Sequence, residues 1–150
     1  LRLALLEWLQ TAQVQVIFDS NYRPHLWEDH ATAHKIIAGF WQRADISLPS
    51  IDDEMEIFGQ TEAQVEQRFL TQAKSGALKR GARGPLSLGA PVVAQYEPVT
   101  DVLDTTAAGD SFNGGYLGAL LSGKGQAAAL QAGHALAAQV VQYRGAIISK

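Results

Sequence analysis

A run of small and polar residues late in the chain constrains it more than any other feature. Residues 104–115 read Asp-Thr-Thr-Ala-Ala-Gly-Asp-Ser-Phe-Asn-Gly-Gly, and an apolar helical pattern follows them. Ala107, Ala108 and Gly109 allow the backbone to approach a bulky ligand, and Gly109 can take a positive φ angle. We expect a helix to begin at Asp110, so that free N–H groups and the positive end of the helix dipole face this turn. The pattern predicts an anion site, for which phosphate is the commonest ligand.

Asp110 can be explained in two ways from its position. Aspartate is a favoured N-cap residue, so capping of the helix would account for it. A carboxylate beside a phosphate site repels the phosphate, however, and its presence makes sense if it removes a proton from a hydroxyl that attacks phosphorus. A hydrolase with Ser111 as nucleophile is a weaker alternative, because no nucleophile elbow and no suitably spaced His accompany it.

Length and composition limit the classes of partner. The chain has 150 residues, a formal net charge of −3 and no cysteine. This length suits one domain with an ordinary core, and the charge argues against nucleic acids and anionic membranes as partners. The lack of cysteine excludes disulfides and thiol chemistry and is compatible with a cytoplasmic location. Because the sequence opens inside an apolar helical pattern without an initiator Met, we expect it to be a fragment.

Helices and short strands alternate along the sequence. Apolar residues at helical spacing predict helices, and short β-branched or alternating runs predict strands. The predicted helices cover 1–12, 27–43, 50–59, 61–74, 110–121 and 126–142, and the predicted strands cover 14–18, 44–48, 76–80, 85–88 and 91–99. This order favours an α/β fold with a mostly parallel sheet, helices on both faces and ligands at the carboxyl ends of the strands. We expect one cleft to collect the polar loops at 19–27, 49–54 and 79–84.

Two of these helices carry more specific predictions. The helix after Ser50 is expected to have that residue as its N-cap, Asp53 as the partner in a capping box and Gly59 at its end. The helix over 27–43 is expected to bury one apolar face, which carries Ile36, Ile37, Phe40 and Trp41.

The run Asp-Thr-Thr-x-Ala-Gly-Asp-Ser-Phe closely resembles the C-terminal signature of the ribokinase-like, or PfkB, family of carbohydrate kinases. Its double-Ala form is most similar to the 2-keto-3-deoxygluconate kinases. The resemblance extends from the Leu-rich first helix to Tyr143-Arg144-Gly145-Ala146-Ile147-Ile148. It implies that residues 1–150 are the C-terminal part of a single ribokinase-like kinase domain, with the N-terminal half absent and a sheet edge left exposed.

The resemblance also implies a reaction. ATP would donate its γ-phosphoryl group to the primary hydroxyl of 2-keto-3-deoxygluconate, with Asp110 as the base and Mg²⁺ bridging the phosphates. The amides of Ala107, Ala108 and Gly109 would stabilise charge on the transferring group. Many relatives have Gly-Ala-Gly-Asp here, so that Ala107 replaces the first glycine. Alanine still offers its N–H, so the anion site survives if φ stays negative at Ala107.

The loop Asn21-Tyr22-Arg23-Pro24-His25-Leu26-Trp27 holds the candidate substrate residue. A guanidinium just after a strand can bind a carboxylate or phosphate through two parallel hydrogen bonds. The local sequence by itself slightly favours a solvated Arg in a turn made by Asn and Pro. The segment resembles the ketodeoxygluconate kinase pattern. That resemblance implies that Arg23 contacts the acid substrate and that Asn21, with Tyr22 beside it, lies near the nucleotide.

Two further loops carry candidate residues. Ser50 and Asp53 stand where many relatives have an Asn-x-x-Glu element that helps to place magnesium through water, but helix capping explains both of them as well. The segment Lys79-Arg80-Gly81-Ala82-Arg83-Gly84 could be an ordinary turn by its spacing. The resemblance implies instead a nucleotide site lined by Lys79, Gly81, Gly84 and, near the adenine, His134.

Several alternatives stay open from the sequence. His134 by itself is as well explained by packing. His30 and His34 share a helix face, but no third ligand at a recognisable spacing accompanies them, so we do not favour a histidine metal site. The substrate could be that of another PfkB sugar kinase, such as a fructokinase or ribokinase. The chain could also be a truncated, inactive nucleotide-binding fragment, and assembly of several copies stays open.

Overall fold

The computed structural model describes residues 1–146. The chain divides into two units, Leu1–Leu78 and Lys79–Lys150. The last residues of the stretch that resembles the kinases, Ile147 and Ile148, lie outside the described part. Among the described residues, no helix has both the length and the apolar character that crossing a membrane requires.

The first unit is built on three parallel strands. Strand β1 (Ile17–Phe18) pairs with β2 (Ile46–Ser47), and β2 pairs with β3 (Gly76–Leu78). Helix α1 (Arg2–Thr11) precedes β1, α2 (His30–Arg43) connects β1 to β2, and α3 (Ile51–Phe58) and α4 (Glu62–Gln72) connect β2 to β3. Parallel strands joined by helices confirm the predicted α/β class.

The strands are shorter than predicted, and Asp45 gives one reason. Its carboxylate accepts a hydrogen bond from the backbone N–H of Val16 at 2.9 Å, so a side chain replaces a ladder bond at the start of β1. At the start of β3, Gly76 has φ +135°, and a Cβ at this residue would collide with the carbonyl oxygen of Ser47 in β2. Only glycine allows this close approach of β3 to β2.

Helix α2 covers the apolar core of the first unit. The predicted face is confirmed, since Ile36, Ile37, Phe40 and Trp41 are all buried. The helix begins at His30 rather than at residue 27 because the carboxylate of Asp29 accepts the N–H of Thr32 at 2.7 Å and caps it there.

The ends of α3 are only partly as predicted. Ser50 is the N-cap, and Gly59 ends the helix with φ 60°. The predicted capping box is wrong, because Ser50 makes no side-chain cap bond and Asp53 accepts the backbone N–H of Tyr22 instead. A capping box occurs on α4, where Thr61 pairs with Gln64.

The second unit contains β4 (Leu86–Leu88), α5 (Ala108–Leu121) and α6 (Gln126–Val140). Helices α5 and α6 pack closely, with Gly133 lying against the ring of Phe112. The strand predicted over 91–99 is wrong, since those residues form no regular element. Pro91 and Pro98 have no N–H to donate to a ladder, which outweighs the alternating pattern between them.

Candidate active site

The turn before α5 differs from the prediction in two respects. Helix α5 begins at Ala108 rather than at Asp110, and its N-cap, Ala107, has φ 61° and ψ 12°. The positive φ that the sequence allows at Gly109 is therefore found at Ala107, so the condition of a negative φ at Ala107 is not met. The left-handed conformation of Ala107 turns the chain sharply into the helix. Glycine adopts this conformation more readily than alanine does.

Two backbone amides of this turn donate hydrogen bonds within the chain. The N–H of Ala108 donates to the carbonyl of Thr105 at 3.1 Å, and the N–H of Ser111 donates to that of Ala107 at 2.8 Å. The amides of Gly109 and Asp110 lie between these two, in the part of a helix where N–H groups lack intrahelical partners. Of the three amides predicted to bind phosphate, Gly109 is thus better placed than Ala108.

Asp110 lies in the first turn of α5, and its side chain is exposed. The N-cap interpretation of Asp110 is wrong, since the cap position belongs to Ala107 and no side-chain cap bond is made. A carboxylate in a first turn still interacts favourably with the helix dipole, by about 0.3–1 kcal/mol. Its exposure leaves its oxygens accessible to a hydroxyl group of a ligand.

Lys79 lies beside the same turn. Its Nζ is 3.5 Å from the position that a Cβ on Gly109 would occupy, and it donates a hydrogen bond to Oδ1 of Asn113 at 3.3 Å. The ammonium group and the helix N-terminus therefore both place positive charge at the start of α5. Sequence reasoning missed Asn113, although it follows Asp110 by three residues and so shares its face of the helix.

Asp104 fixes the segment that leads into the turn. Its Oδ1 accepts the N–H of Thr106 at 2.8 Å and its Oδ2 accepts the N–H of Gly145 at 2.9 Å. Hydrogen bonds from Thr106 and Gly145 lower the pKa of Asp104 to about 2. The sequence pattern predicts no role for this residue, although it is the first residue of the Asp-Thr-Thr-x-Ala-Gly-Asp motif.

The candidate nucleotide residues Gly81, Gly84 and His134 lie in the second unit, as Lys79 does. Gly81 begins a short 3-10 helix with φ 57°, and Gly84 follows its end with φ 73°. The ring of Tyr96 covers Gly84, and its centroid is 5.0 Å from that of His134. Nε2 of His134 lies 3.1 Å from the carbonyl oxygen of Glu97. These contacts bring Gly84 and His134 together through Tyr96, which sequence reasoning missed.

The candidate substrate loop follows β1 in the first unit. Asn21 has φ 37°, and its N–H donates to Oδ1 of Asp19 at 3.0 Å. Arg23 is exposed and uses Nη1 to donate to the carbonyl of Tyr22 at 2.8 Å. The other guanidinium nitrogens still offer the paired donors that a carboxylate needs. Tyr22 itself is buried.

The structure brings Asp53 to this loop. The backbone N–H of Tyr22 donates to Oδ2 of Asp53 at 3.1 Å, and Ser50 lies at the start of the same helix. Among residues 1–146, no group of three or more His, Cys, Asp and Glu side chains converges in a way that could hold a metal ion. A metal contact by Ser50 or Asp53 would therefore depend on water and on ligand phosphates.

Glu54 is buried completely, next to Asp53 in the sequence. Its Oε1 accepts hydrogen bonds from Ser20 Oγ at 2.9 Å and Trp41 Nε1 at 3.2 Å, and its Oε2 accepts one from Arg68 Nη2 at 2.9 Å. Burial raises the pKa of Glu54, although Arg68 and Ser20 act in the opposite direction. Sequence reasoning missed this residue, because nothing local distinguishes it among the acidic residues 52–54.

Comparison with known proteins identifies the family of the chain. The sequence profile described as pfkB family carbohydrate kinase matches residues 2–150. The 2-dehydro-3-deoxygluconokinase of Escherichia coli K12 is 37% identical over 155 residues, which cover 99% of this chain and 50% of that protein. The chain thus spans about half the length of the curated relatives it matches.

Two solved structures show the same fold. Aminoimidazole riboside kinase from Salmonella enterica, complexed with aminoimidazole riboside and an ATP analogue, matches with a TM-score of 0.79 and 29% identity, and the match covers 95% of this chain and 52% of that one. Ribokinase from Thermotoga maritima matches with a TM-score of 0.68 and 30% identity, over 95% of this chain and 47% of that one. The parallel α/β architecture is therefore ribokinase-like, and the chain belongs to the pfkB family of carbohydrate kinases.

Proposed function

We propose that this chain carries the catalytic residue of an ATP-dependent sugar-acid kinase that phosphorylates the primary hydroxyl of 2-keto-3-deoxygluconate. The observation that supports this most is the exposed Asp110 carboxylate in the first turn of α5, with the Lys79 ammonium beside Gly109 on the same turn. A base and two sources of positive charge on one turn suit the deprotonation of an alcohol next to a phosphate.

In the proposed reaction, Asp110 accepts the proton of the primary hydroxyl as its oxygen bonds to the γ-phosphorus. The bond between that phosphorus and the β–γ bridging oxygen breaks, and ADP leaves with the electron pair. The amides near Ala107, Ala108 and Gly109, together with Lys79, stabilise the negative charge on the transferring phosphoryl oxygens. Positioning and electrostatics then supply most of the acceleration.

Arg23 is the proposed partner of the substrate carboxylate. It is exposed after a parallel strand, and its remaining donors can form a bidentate pair with a carboxylate. The E. coli relative is named for the same sugar acid, which favours this substrate over a neutral sugar.

ATP is the proposed phosphoryl donor. Its proposed contacts in the second unit are Lys79, Gly81, Gly84 and His134, and Asn21 is a separately proposed nucleotide contact in the first unit. The contacts of Tyr96 with Gly84 and His134 support a shared site for the last two residues. Mg²⁺, when bound, would neutralise phosphate charge. Ser50 and Asp53 are its proposed water-mediated contacts, since the described side chains provide no cage of their own.

A second candidate is another sugar kinase of this family, acting on a substrate such as fructose or ribose. The similarity to aminoimidazole riboside kinase favours it, because that relative is named for a riboside and not for a sugar acid. A non-catalytic nucleotide-binding fragment is the remaining alternative. It predicts ATP binding without transfer.

The test measures phosphoryl transfer from ATP to 2-keto-3-deoxygluconate, fructose and ribose. It uses the chain itself and a chimera in which the chain replaces the matching half of the E. coli relative. We expect transfer to the sugar acid that is lost in the Asp110→Asn variant, while ATP still binds. Preference of the folded chimera for fructose or ribose would favour the second candidate, and ATP binding without transfer to any sugar would favour the fragment.

A further inference from the structure

Two adjacent carboxylates at the start of α3 hold the loop that carries Arg23. Asp53 accepts the backbone N–H of Tyr22 at 3.1 Å. Glu54 accepts the hydroxyl of Ser20 at 2.9 Å, on the other side of Asn21. One turn of α3 therefore fixes the loop at two points that flank its central residue.

Asn21, between these two points, is in an unusual conformation. Its φ is 37°, and its N–H is bound by the side chain of Asp19 at 3.0 Å. A non-glycine residue in a left-handed conformation is strained and persists when the surrounding contacts determine it. Those contacts include the bonds from Ser20 and Tyr22 to α3.

The Glu54 carboxylate is itself held firmly. Arg68 pairs with it at 2.9 Å, and the guanidinium lies 4.2 Å from the ring centroid of Phe58 and 4.5 Å from that of Phe69. Trp41 supplies a further hydrogen bond through Nε1. A buried ion pair of this kind is poor evidence for a stabilising role, because apolar side chains of similar volume often stabilise a fold as well as the pair does. Its contact with Ser20 suggests a different role.

We propose that Glu54 is a positioning residue, which acts through Ser20 to hold the Asp19–Arg23 loop in the conformation that presents the Arg23 guanidinium to an acid substrate. Arg68 and Trp41 hold the carboxylate in place. This inference rests on the proposed function in one respect, namely that Arg23 binds the substrate carboxylate.

Ser20→Ala is the primary test, because it removes the hydroxyl that reaches Glu54 and leaves the buried Glu54–Arg68 pair intact. Ser75→Ala is the matched control, since Ser75 Oγ makes one comparable bond in the same unit, to the carbonyl of Asp45 at 3.0 Å. Glu54→Gln is the second variant, used if it folds. The 150-residue chain is assayed for the dissociation constants of 2-keto-3-deoxygluconate and ATP, and for amide exchange at Tyr22.

We expect Ser20→Ala to weaken binding of the sugar acid by about tenfold, as for the loss of one hydrogen bond. Exchange at Tyr22 should accelerate. ATP affinity should fall less than sugar-acid affinity, because Asn21 is the one proposed ATP contact in this loop. The Ser75→Ala control should stay within about twofold of the unmodified chain. Equal effects of Ser20→Ala and Ser75→Ala on sugar-acid binding and on exchange would overturn the proposal. If the unmodified chain binds no sugar acid but Ser20→Ala still accelerates exchange at Tyr22 selectively, the loop-holding role is supported and the proposed substrate is wrong.

Discussion

The carboxylate of Asp104 accepts a hydrogen bond from the amide of Gly145 at 2.9 Å, which ties the turn before α5 to the residues that follow α6. The same side chain accepts the amide of Thr106 at 2.8 Å. Hydrogen bonds from the Thr106 side chain, the Gly145 amide and the Thr106 amide favour the ionised form, so the pKa of Asp104 is lowered to about 2 from the ordinary value of 3.8. Ionisation of this group is therefore linked to folding.

The first prediction concerns the pH dependence of stability. A carboxylate whose pKa is lower in the folded chain stabilises fully above its unfolded pKa, and that contribution is lost as the pH falls from about 4 towards 2. Asp104→Asn should therefore lower the midpoint of urea unfolding at pH 7, and the difference from the unmodified chain should shrink at pH 3. The exposed Asp101 provides the control. If Asp101→Asn lowers the midpoint as much at pH 7, the hydrogen bonds of Asp104 are not the cause.

The second prediction concerns catalysis by Asp110. Asp110→Asn should lower the transfer rate in the folded chimera by about 10²–10⁴-fold, because general-base catalysis typically contributes this much. ATP should still bind, since the substitution removes a negative charge that repels phosphate and leaves the proposed nucleotide contacts in place. A coupled assay for ADP gives the rate, and calorimetry gives the affinity. The Ser111→Ala variant should retain phosphoryl transfer. Loss of transfer in this variant would favour nucleophilic chemistry at Ser111.

The third prediction concerns the strained turn. Ala107 has φ 61°, a conformation that costs an alanine about 1–2 kcal/mol, while glycine loses about 0.5–1 kcal/mol more backbone entropy on folding. Ala107→Gly should thus raise the free energy of unfolding by about 0.5–1 kcal/mol. Ala108→Gly should lower it, because Ala108 is the first residue of α5. Urea denaturation of both variants tests this, and the same sign of change in both would contradict the conformational explanation.

The fourth prediction concerns recognition of the acid. Arg23→Ala should raise KM for 2-keto-3-deoxygluconate by about 10–100-fold, as expected for hydrogen bonds to a charged group. KM for ATP should hardly change. Arg23→Lys keeps the positive charge but loses the paired donors, so it should recover only part of the affinity. An equal rise in KM for fructose and for the sugar acid would show that Arg23 does not bind the substrate carboxylate.

Local patterns in the sequence determined much of the fold. The apolar spacing in α2 predicted its buried face, and Gly59 ended α3 as expected. The motif around Asp110 identified the start of α5 to within two residues. These features depend on residues that are close in the sequence. Turn composition and helical periodicity predict them because both patterns arise from neighbouring residues.

Tertiary packing decided the contacts that give these residues their surroundings. Lys79 reaches the turn at Gly109, and Tyr96 covers Gly84 beside His134. Of the neighbouring acids Asp53 and Glu54, only Glu54 is completely buried, with Arg68 as its partner. Such contacts join residues far apart in the chain, and the direction in which a side chain points depends on the elements packed around it. The sequence alone determined which chemical groups were present, and packing determined which of them meet.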